Sequence, residues 1–319
     1  MVKRAFTFPG QGSQAVGMGK DLASAYPEAR AVFDEVDAAL GQKLSTLMFE
    51  GPDDTLRLTE NAQPALMAVS LAVVRVLAAK GVELADHAAF VAGHSLGEYS
   101  ALCAAGVFTL ADTARLLRIR GTAMQQAVPV GQGAMAAILG LDFATVSDIA
   151  LQAAKDLYLQ GAICEAANDN GGGQVVISGT KAAVERAMEL AKLRGAKRAL
   201  PLPVSAPFHC TLMKPAADAM AAALKTVRIH APIVPLVANF GARPLTEPDA
   251  IRESLVAQVT GTVRWRESVG FMAAEGVTRF VEIGAGKVLA GLVKRIAEGA
   301  SAVSVGTPAD VEAFKAAKP

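Results

Sequence analysis

Short apolar runs alternate along this chain with longer amphipathic ones, and that alternation limits the fold more than any single residue does. Residues 4–8 and 88–92 are brief and apolar, as strands buried on both faces are. Between them, Val32, Phe33, Val36 and Leu40 recur at helical spacing, as do Leu66, Val69, Val73 and Leu77. The second run stops at Gly93 and a helix is expected from Gly97; another should start near Thr109, with Asp112 in its first turn, and carries Arg115, Arg118 and Arg120. Strands separated by helices predict a mostly parallel sheet covered by helices, an α/β fold.

The middle of the chain keeps a different rhythm. Residues 134–139, 162–167, 174–178 and 197–203 look like strands, and 144–157 and 181–193 like helices. The turn-rich run from Asn168 to Gly173 joins the second and third strands. This β-α-β-β-α-β order is the split pattern of a ferredoxin-like unit. We therefore expect residues 129–203 to form a subdomain inserted into a large domain made of 1–128 and 204–319. Beyond the insert we expect a helix at 212–224, a strand at 233–238, two helices, a strand at 279–283 and a last helix at 288–297. A frayed tail is expected over 313–319.

Composition removes several classes of function. With 31 basic and 30 acidic residues the net charge is +1, too small to build a broad field for nucleic acid or an anionic membrane. The apolar stretch 62–79 is interrupted by Gln63, Pro64, Ser70 and Arg75, which argues against a membrane span. Pro9 and Gly10 arrive before the first apolar run reaches the length of a signal peptide. Cys103, Cys164 and Cys210 are too few and too scattered for a disulfide framework or a zinc site, so a cytoplasmic protein without a metal is expected.

The strongest local signal is Gly93-His94-Ser95-Leu96-Gly97, a G-x-S-x-G placed where a strand gives way to a helix. Such a turn lifts the serine hydroxyl out of the sheet and leaves the amide of Leu96 near the positive end of the following helix. A nucleophilic serine needs a base, and the chain has four histidines. His94 is adjacent to Ser95, where consecutive side chains diverge. His87 precedes the strand, at the end remote from the elbow, and His230 reads as surface. His209 stands in a proline-constrained loop after a strand, a position from which α/β proteins often present functional groups.

Phe8-Pro9-Gly10-Gln11-Gly12-Ser13-Gln14, Gly93-His94-Ser95-Leu96-Gly97-Glu98-Tyr99 and Ser205-Ala206-Pro207-Phe208-His209 occur in this order. Further matching segments are Gln63-Pro64-Ala65, Arg120-Gly121, 168–174, Glu282-Ile283-Gly284 and Gly286-Lys287-Val288-Leu289. Together they resemble the signature of malonyl-CoA:acyl carrier protein transacylases and of the acyltransferase domains of polyketide and fatty acid synthases. The resemblance covers nearly the whole chain. It implies a hydrolase-like large domain with a ferredoxin-like insert.

The resemblance also implies roles. Ser95 would attack the malonyl thioester with His209 as general base, and the amides of Gln11 and Leu96 would hold the oxyanion. Arg120, the one arginine here that precedes glycine as in the family pattern, would bind the free malonyl carboxylate through two parallel bonds that lysine cannot copy. The backbone carbonyl at Gln258 would orient the histidine. Gln63, Asn168 and Asn170 would line the pocket, and Phe208 would crowd an α-methyl branch. The partners implied are malonyl-CoA, as a substrate, and acyl carrier protein, with no permanently bound cofactor. Lys192, Arg194, Lys197 and Arg198 form a basic rim that suits an acidic carrier protein.

Two other readings are weighed against this one. An α/β-hydrolase such as a thioesterase expects its histidine late in the chain and an upstream oxyanion loop of HGGG type, and gives Arg120 no task. A phosphate loop fails because Ala15 occupies the third place of G-x-G-x-x-G, and 282–287 lacks P-loop spacing. Fatty acid supply is the main reading of the acyltransferase, with a polyketide pathway as its alternative.

Overall fold

The computed structural model describes residues 2–204 and 206–316. Its strands are β1 (Arg4–Phe8), β2 (Phe90–Gly93), β3 (Gly133–Leu139), β4 (Cys164–Asp169), β5 (Gln174–Thr180), β6 (Arg198–Pro201), β7 (Leu236–Val237), β8 (Pro244–Leu245), β9 (Arg279–Ile283) and β10 (Ser301–Val305). They form two sheets.

The first has the order β10-β9-β1-β2-β7-β8 and is parallel except where β8 pairs antiparallel with β7. Its strands read as continuous apolar runs because both faces are covered. Phe6, Phe8, Val91, Val281 and Ile283 pack into one core, and Ala5, Phe90, Ala92, Val237 and Phe280 into another on the opposite face. The long helix Thr59–Ala79 lies in the larger core. It is apolar enough in length and composition to span a bilayer, but 78% of its apolar window is buried inside the protein.

The second sheet has the order β4-β5-β3-β6 and is wholly antiparallel. Helices Phe143–Asp156 and Lys181–Leu193 cover one face. Strand alternation sorts its residues. Ala136, Ile138, Val175 and Ile177 pack against those helices, whereas Met135, Ala137 and Val176 point the other way, toward the first sheet. A register shift between Ala166 and Asn168 bends β4, and Asn168 forms an isolated parallel bridge with Val263. Val263 N donates to Ala167 O at 2.8 Å, Asp169 N to Val263 O at 2.9 Å, and Thr262 Oγ1 to Ala166 O at 2.7 Å. The second sheet is thereby tied to the segment between helices Pro248–Thr260 and Trp265–Ala274.

Three expectations need correction. The strand expected over 233–238 is reduced to Leu236–Val237, since Pro232 and Pro235 have no N–H to offer a ladder. Helix Val288–Ile296 is not the last element, because β10 and the helix Pro308–Ala316 follow it. Hence most of the expected tail is helical: Phe314 stacks edge-on against Phe6, ring centroids 6.3 Å apart, while 317–319 lie outside the described residues.

Candidate active site

The C-terminal end of β2 carries a constrained turn. Ser95 has φ 54°, a left-handed conformation that costs a non-glycine residue energy and persists only when its surroundings impose it. Glycine on either side is a steric necessity. A Cβ on Gly93 would lie 1.9 Å from the backbone of Gly97, and one on Gly97 would lie 2.2 Å from the carbonyl oxygen of Phe8. Gly10 is equally confined, because its Cβ would sit 2.7 Å from the His94 carbonyl. Gly12 has open space around it and is instead there for its φ of 106°.

Residues 95 and 209 meet. The Ser95 hydroxyl lies 2.7 Å from His209 Nε2, and His209 Nδ1 lies 3.0 Å from the carbonyl oxygen of Gln258. A carbonyl can only accept, so Nδ1 carries the proton and Nε2 is the acceptor that faces the serine. His209 too has a positive φ, 58°. It is buried, and its imidazole is pushed down to about 3, first by burial and then by the neighbouring Arg120 charge. The site therefore holds a neutral imidazole.

Arg120, on the helix Leu110–Gln126, is buried with its guanidinium turned to the same serine. Nη2 donates to Ser95 Oγ at 3.1 Å and to Gln258 Oε1 at 2.8 Å, and Nη1 to Gln63 Oε1 at 2.9 Å. The cation also lies over the Tyr99 ring, 5.7 Å from its centroid. Every one of these direct partners is neutral.

Above Ser95 and His209 opens a cavity of about 370 Å³. Gly10, Gln11, Gly12, His94, Asn168 and Asn170 line its polar side, and Met135, Ala137, Val176, Leu202 and Phe208 its apolar side. Among the described residues, neither the Gln11 nor the Leu96 amide donates to a protein acceptor. Gln63 departs from its expected place: it lies buried behind Arg120, not in the cavity wall.

Residues 5–317 match the family model of the acyl transferase domain. The malonyl CoA-acyl carrier protein transacylase of Escherichia coli K12 is 49% identical over 313 residues, covering 98% of this chain and 99% of the relative. This chain belongs to that transacylase family. The solved acyl-carrier-protein S-malonyltransferase of Bartonella henselae is 58% identical, with a TM-score of 0.94 and 98% of each chain covered. A malonyl-transacylase solved in complex with its type II PKS acyl-carrier protein is 45% identical, with a TM-score of 0.92, covering 97% of this chain and 98% of that one.

The transacylase site includes residues that the sequence reading passed over. Asn239, just after β7, accepts from Ser95 N–H through Oδ1 at 2.7 Å and donates to Gly93 O through Nδ2 at 2.6 Å. It therefore holds the elbow on both sides of the strained residue. Glu98 is fully buried beneath it, and burial pushes its carboxyl up to about 7 against the pull of two N–H donors and Arg120. His94 diverges from Ser95 as expected but is not idle, since its Nε2 meets Asn170 Oδ1 at 2.9 Å. Asn239 carried no local signal, being one asparagine after a short apolar run. Glu98 was visible inside the elbow segment, yet nothing in the spacing told that it points inward.

The remaining candidates fall away from the chemistry. His87 bonds the Glu83 carbonyl at 2.9 Å, and His230 is exposed. Arg115 pairs with Asp112 on the surface, while Arg118 is half-buried and ties its helix to Asn61 and Gln42. Burial pushes the thiols of Cys103 and Cys210 up to about 11 and that of Cys164 up to about 12, which keeps them protonated and unreactive.

Proposed function

We propose that this protein moves the malonyl group from malonyl-CoA to the phosphopantetheine thiol of acyl carrier protein through an ester on Ser95. One observation carries the reading: the Ser95 hydroxyl sits 2.7 Å from an unprotonated His209 nitrogen and 3.1 Å from a buried arginine whose hydrogen-bond partners are all neutral. The first contact makes a nucleophile, and the second calls for an acyl group that ends in a carboxylate.

Ser95 Oγ attacks the thioester carbonyl as its proton passes to His209 Nε2, and the oxyanion rests on the amides of Gln11 and Leu96. Collapse breaks the carbon–sulfur bond, and the departing CoA sulfur takes the proton from His209. In the second half the carrier-protein thiol gives its proton to His209 and attacks the ester, and Ser95 leaves with that proton. Only side chains and amides of this chain enter these steps, so no resident cofactor is required. The malonyl carboxylate exchanges for the neutral acceptors on Arg120. That neutralises the charge depressing His209 and makes the imidazole a better base when the correct acyl group is present.

The subdomain of residues 129–203 supplies the apolar wall, and the exposed Lys192, Arg194, Lys197 and Arg198 at its edge offer the acidic carrier protein a surface. We place the enzyme in the cytoplasm, consistent with three unpaired cysteines, and assign its product to fatty acid synthesis. Fractionation checks the first assignment, and side-by-side assay of fatty acid and polyketide carrier proteins as acceptors checks the second.

Incubation with malonyl-CoA followed by peptide mapping should find the malonyl group on Ser95, and holo carrier protein should then remove it. Acylation at another residue, or release of free malonate in place of transfer, would sink the reading.

A further inference from the structure

Among the groups beneath the cavity, the carboxylate of Glu98 has no part in the transfer steps, yet one of its oxygens touches two of the residues that build the site. Oε2 accepts from the backbone N–H of Asn239 at 2.9 Å and from the Gln258 side-chain amide at 3.0 Å. Oε1 is buried without a hydrogen-bond partner. Asn239 holds Ser95 N–H and Gly93 O. Gln258 reaches further: its backbone carbonyl takes His209 Nδ1, its Nε2 donates to Ser95 O at 3.0 Å, and its Oε1 accepts from Arg120.

We propose that Glu98 is the positioning residue that locks nucleophile, base and arginine into one arrangement through a single shared acceptor oxygen. The Gln258 amide lies between an anion and a cation, with its N–H side on Glu98 and its oxygen on Arg120. Turning that amide over would set two N–H groups against the guanidinium and leave Glu98 facing an oxygen. The carboxylate thus fixes the amide's direction, and the amide fixes Arg120. Through Asn239 the same oxygen keeps Ser95 in its left-handed conformation. Among the described residues, the charged and titratable groups that act on Glu98 are Arg120 from the helix Leu110–Gln126 and Tyr99 beside it. Glu98 keeps an acceptor on Oε2 whether or not Oε1 is protonated, so the lock holds on both sides of its titration near 7.

The proposal rests on the roles given above to Ser95, His209 and Arg120, which malonyl mapping on the native enzyme tests separately. Its own test compares Glu98→Met, which keeps the length but swaps the carboxylate oxygens for a thioether sulfur, a weak acceptor, with Glu98→Gln, which keeps the length and one oxygen acceptor. Three rates are read on full-length folded enzyme: sulfonylation of Ser95 by a neutral sulfonyl fluoride, loading from malonyl-CoA, and loading from acetyl-CoA. A displacement of about 1 Å in such a site costs roughly 100-fold, so Glu98→Met should lose about that much sulfonylation while Glu98→Gln stays within about 10-fold of native. Malonyl preference over acetyl should fall about a further 10-fold in Glu98→Met, because Arg120 loses its tether. Sulfonylation in Glu98→Met within about threefold of native, or equal damage in the two variants, would overturn the proposal, as would malonyl and acetyl loading falling in step. If Glu98→Met does not fold, Glu98→Asp serves instead: it keeps the charge but is one methylene too short to serve both partners. A Glu98→Asp enzyme with native rates and preference is incompatible with the lock.

Discussion

The two sheets contribute to the site in opposite ways. The parallel sheet is buried on both faces, so its strands can present chemistry only where they end, and Gln11, Ser95 and Asn239 all lie just past the C-terminal ends of β1, β2 and β7. The antiparallel sheet has one face on its own helices and the other over the cavity, where it sets Met135, Ala137 and Val176. Chemistry is thus concentrated at an edge and shape on a face. Bond formation should be intolerant of change at the first and forgiving at the second.

The hardest test of that contrast is Ser95→Ala, which should lower malonyl transfer by about 10⁴-fold or more and abolish the mass gain with malonyl-CoA. Substantial transfer by this variant would place the nucleophile elsewhere. Arg120→Ala should come next: malonyl loading falls by about 100–1,000-fold, and the preference over acetyl disappears with it. If acetyl loading fell equally, Arg120 would serve the scaffold and not the substrate. On the facing sheet, Val176→Ala or Met135→Ala should change malonyl transfer by about 10-fold or less while admitting bulkier acyl groups, since these side chains shape the cavity without touching the reacting atoms, and about 1 kcal/mol of lost apolar contact is only about fivefold. Losses there as large as those from Arg120→Ala would erase the distinction between edge and face.

Stability against pH gives a separate measure, with opposite signs at two residues of the edge. Folded Glu98 releases its proton near 7 but near 4.5 when unfolded, so the folded state holds the extra proton between these values and stability falls as pH rises through them. Glu98→Gln should remove this loss, about 3 kcal/mol by pH 8. His209 runs the other way. Its folded form stays neutral down to about 3 whereas the unfolded form protonates near 6.5, so stability is lost as pH falls through that window. Denaturant midpoints at pH 5, 6.5 and 8 for native enzyme, Glu98→Gln and His209→Gln check both signs.

Much of the arrangement could be read before any coordinates. Gly93 and Gly97 flank a residue whose backbone admits no neighbouring Cβ, and such short-range sterics leave a mark in consecutive letters. Gln258 entered only by resemblance and for its carbonyl; its side-chain bonds to Ser95, Glu98 and Arg120 were not anticipated. Asn239 was missed altogether, because its meaning lies in the amide of a residue 144 positions away.

What the chain alone determined, then, was everything governed by neighbours: strand and helix periods, the glycine-bounded turn, the proline-held histidine loop and the family they resemble. The tertiary structure decided which polar groups share one oxygen, which arginine is buried with only neutral hydrogen-bond partners, and that Gln63 stands behind the site and not within it. Hydrogen bonds of about 3 Å between residues more than a hundred positions apart depend on how whole elements pack, and no local pattern encodes that distance.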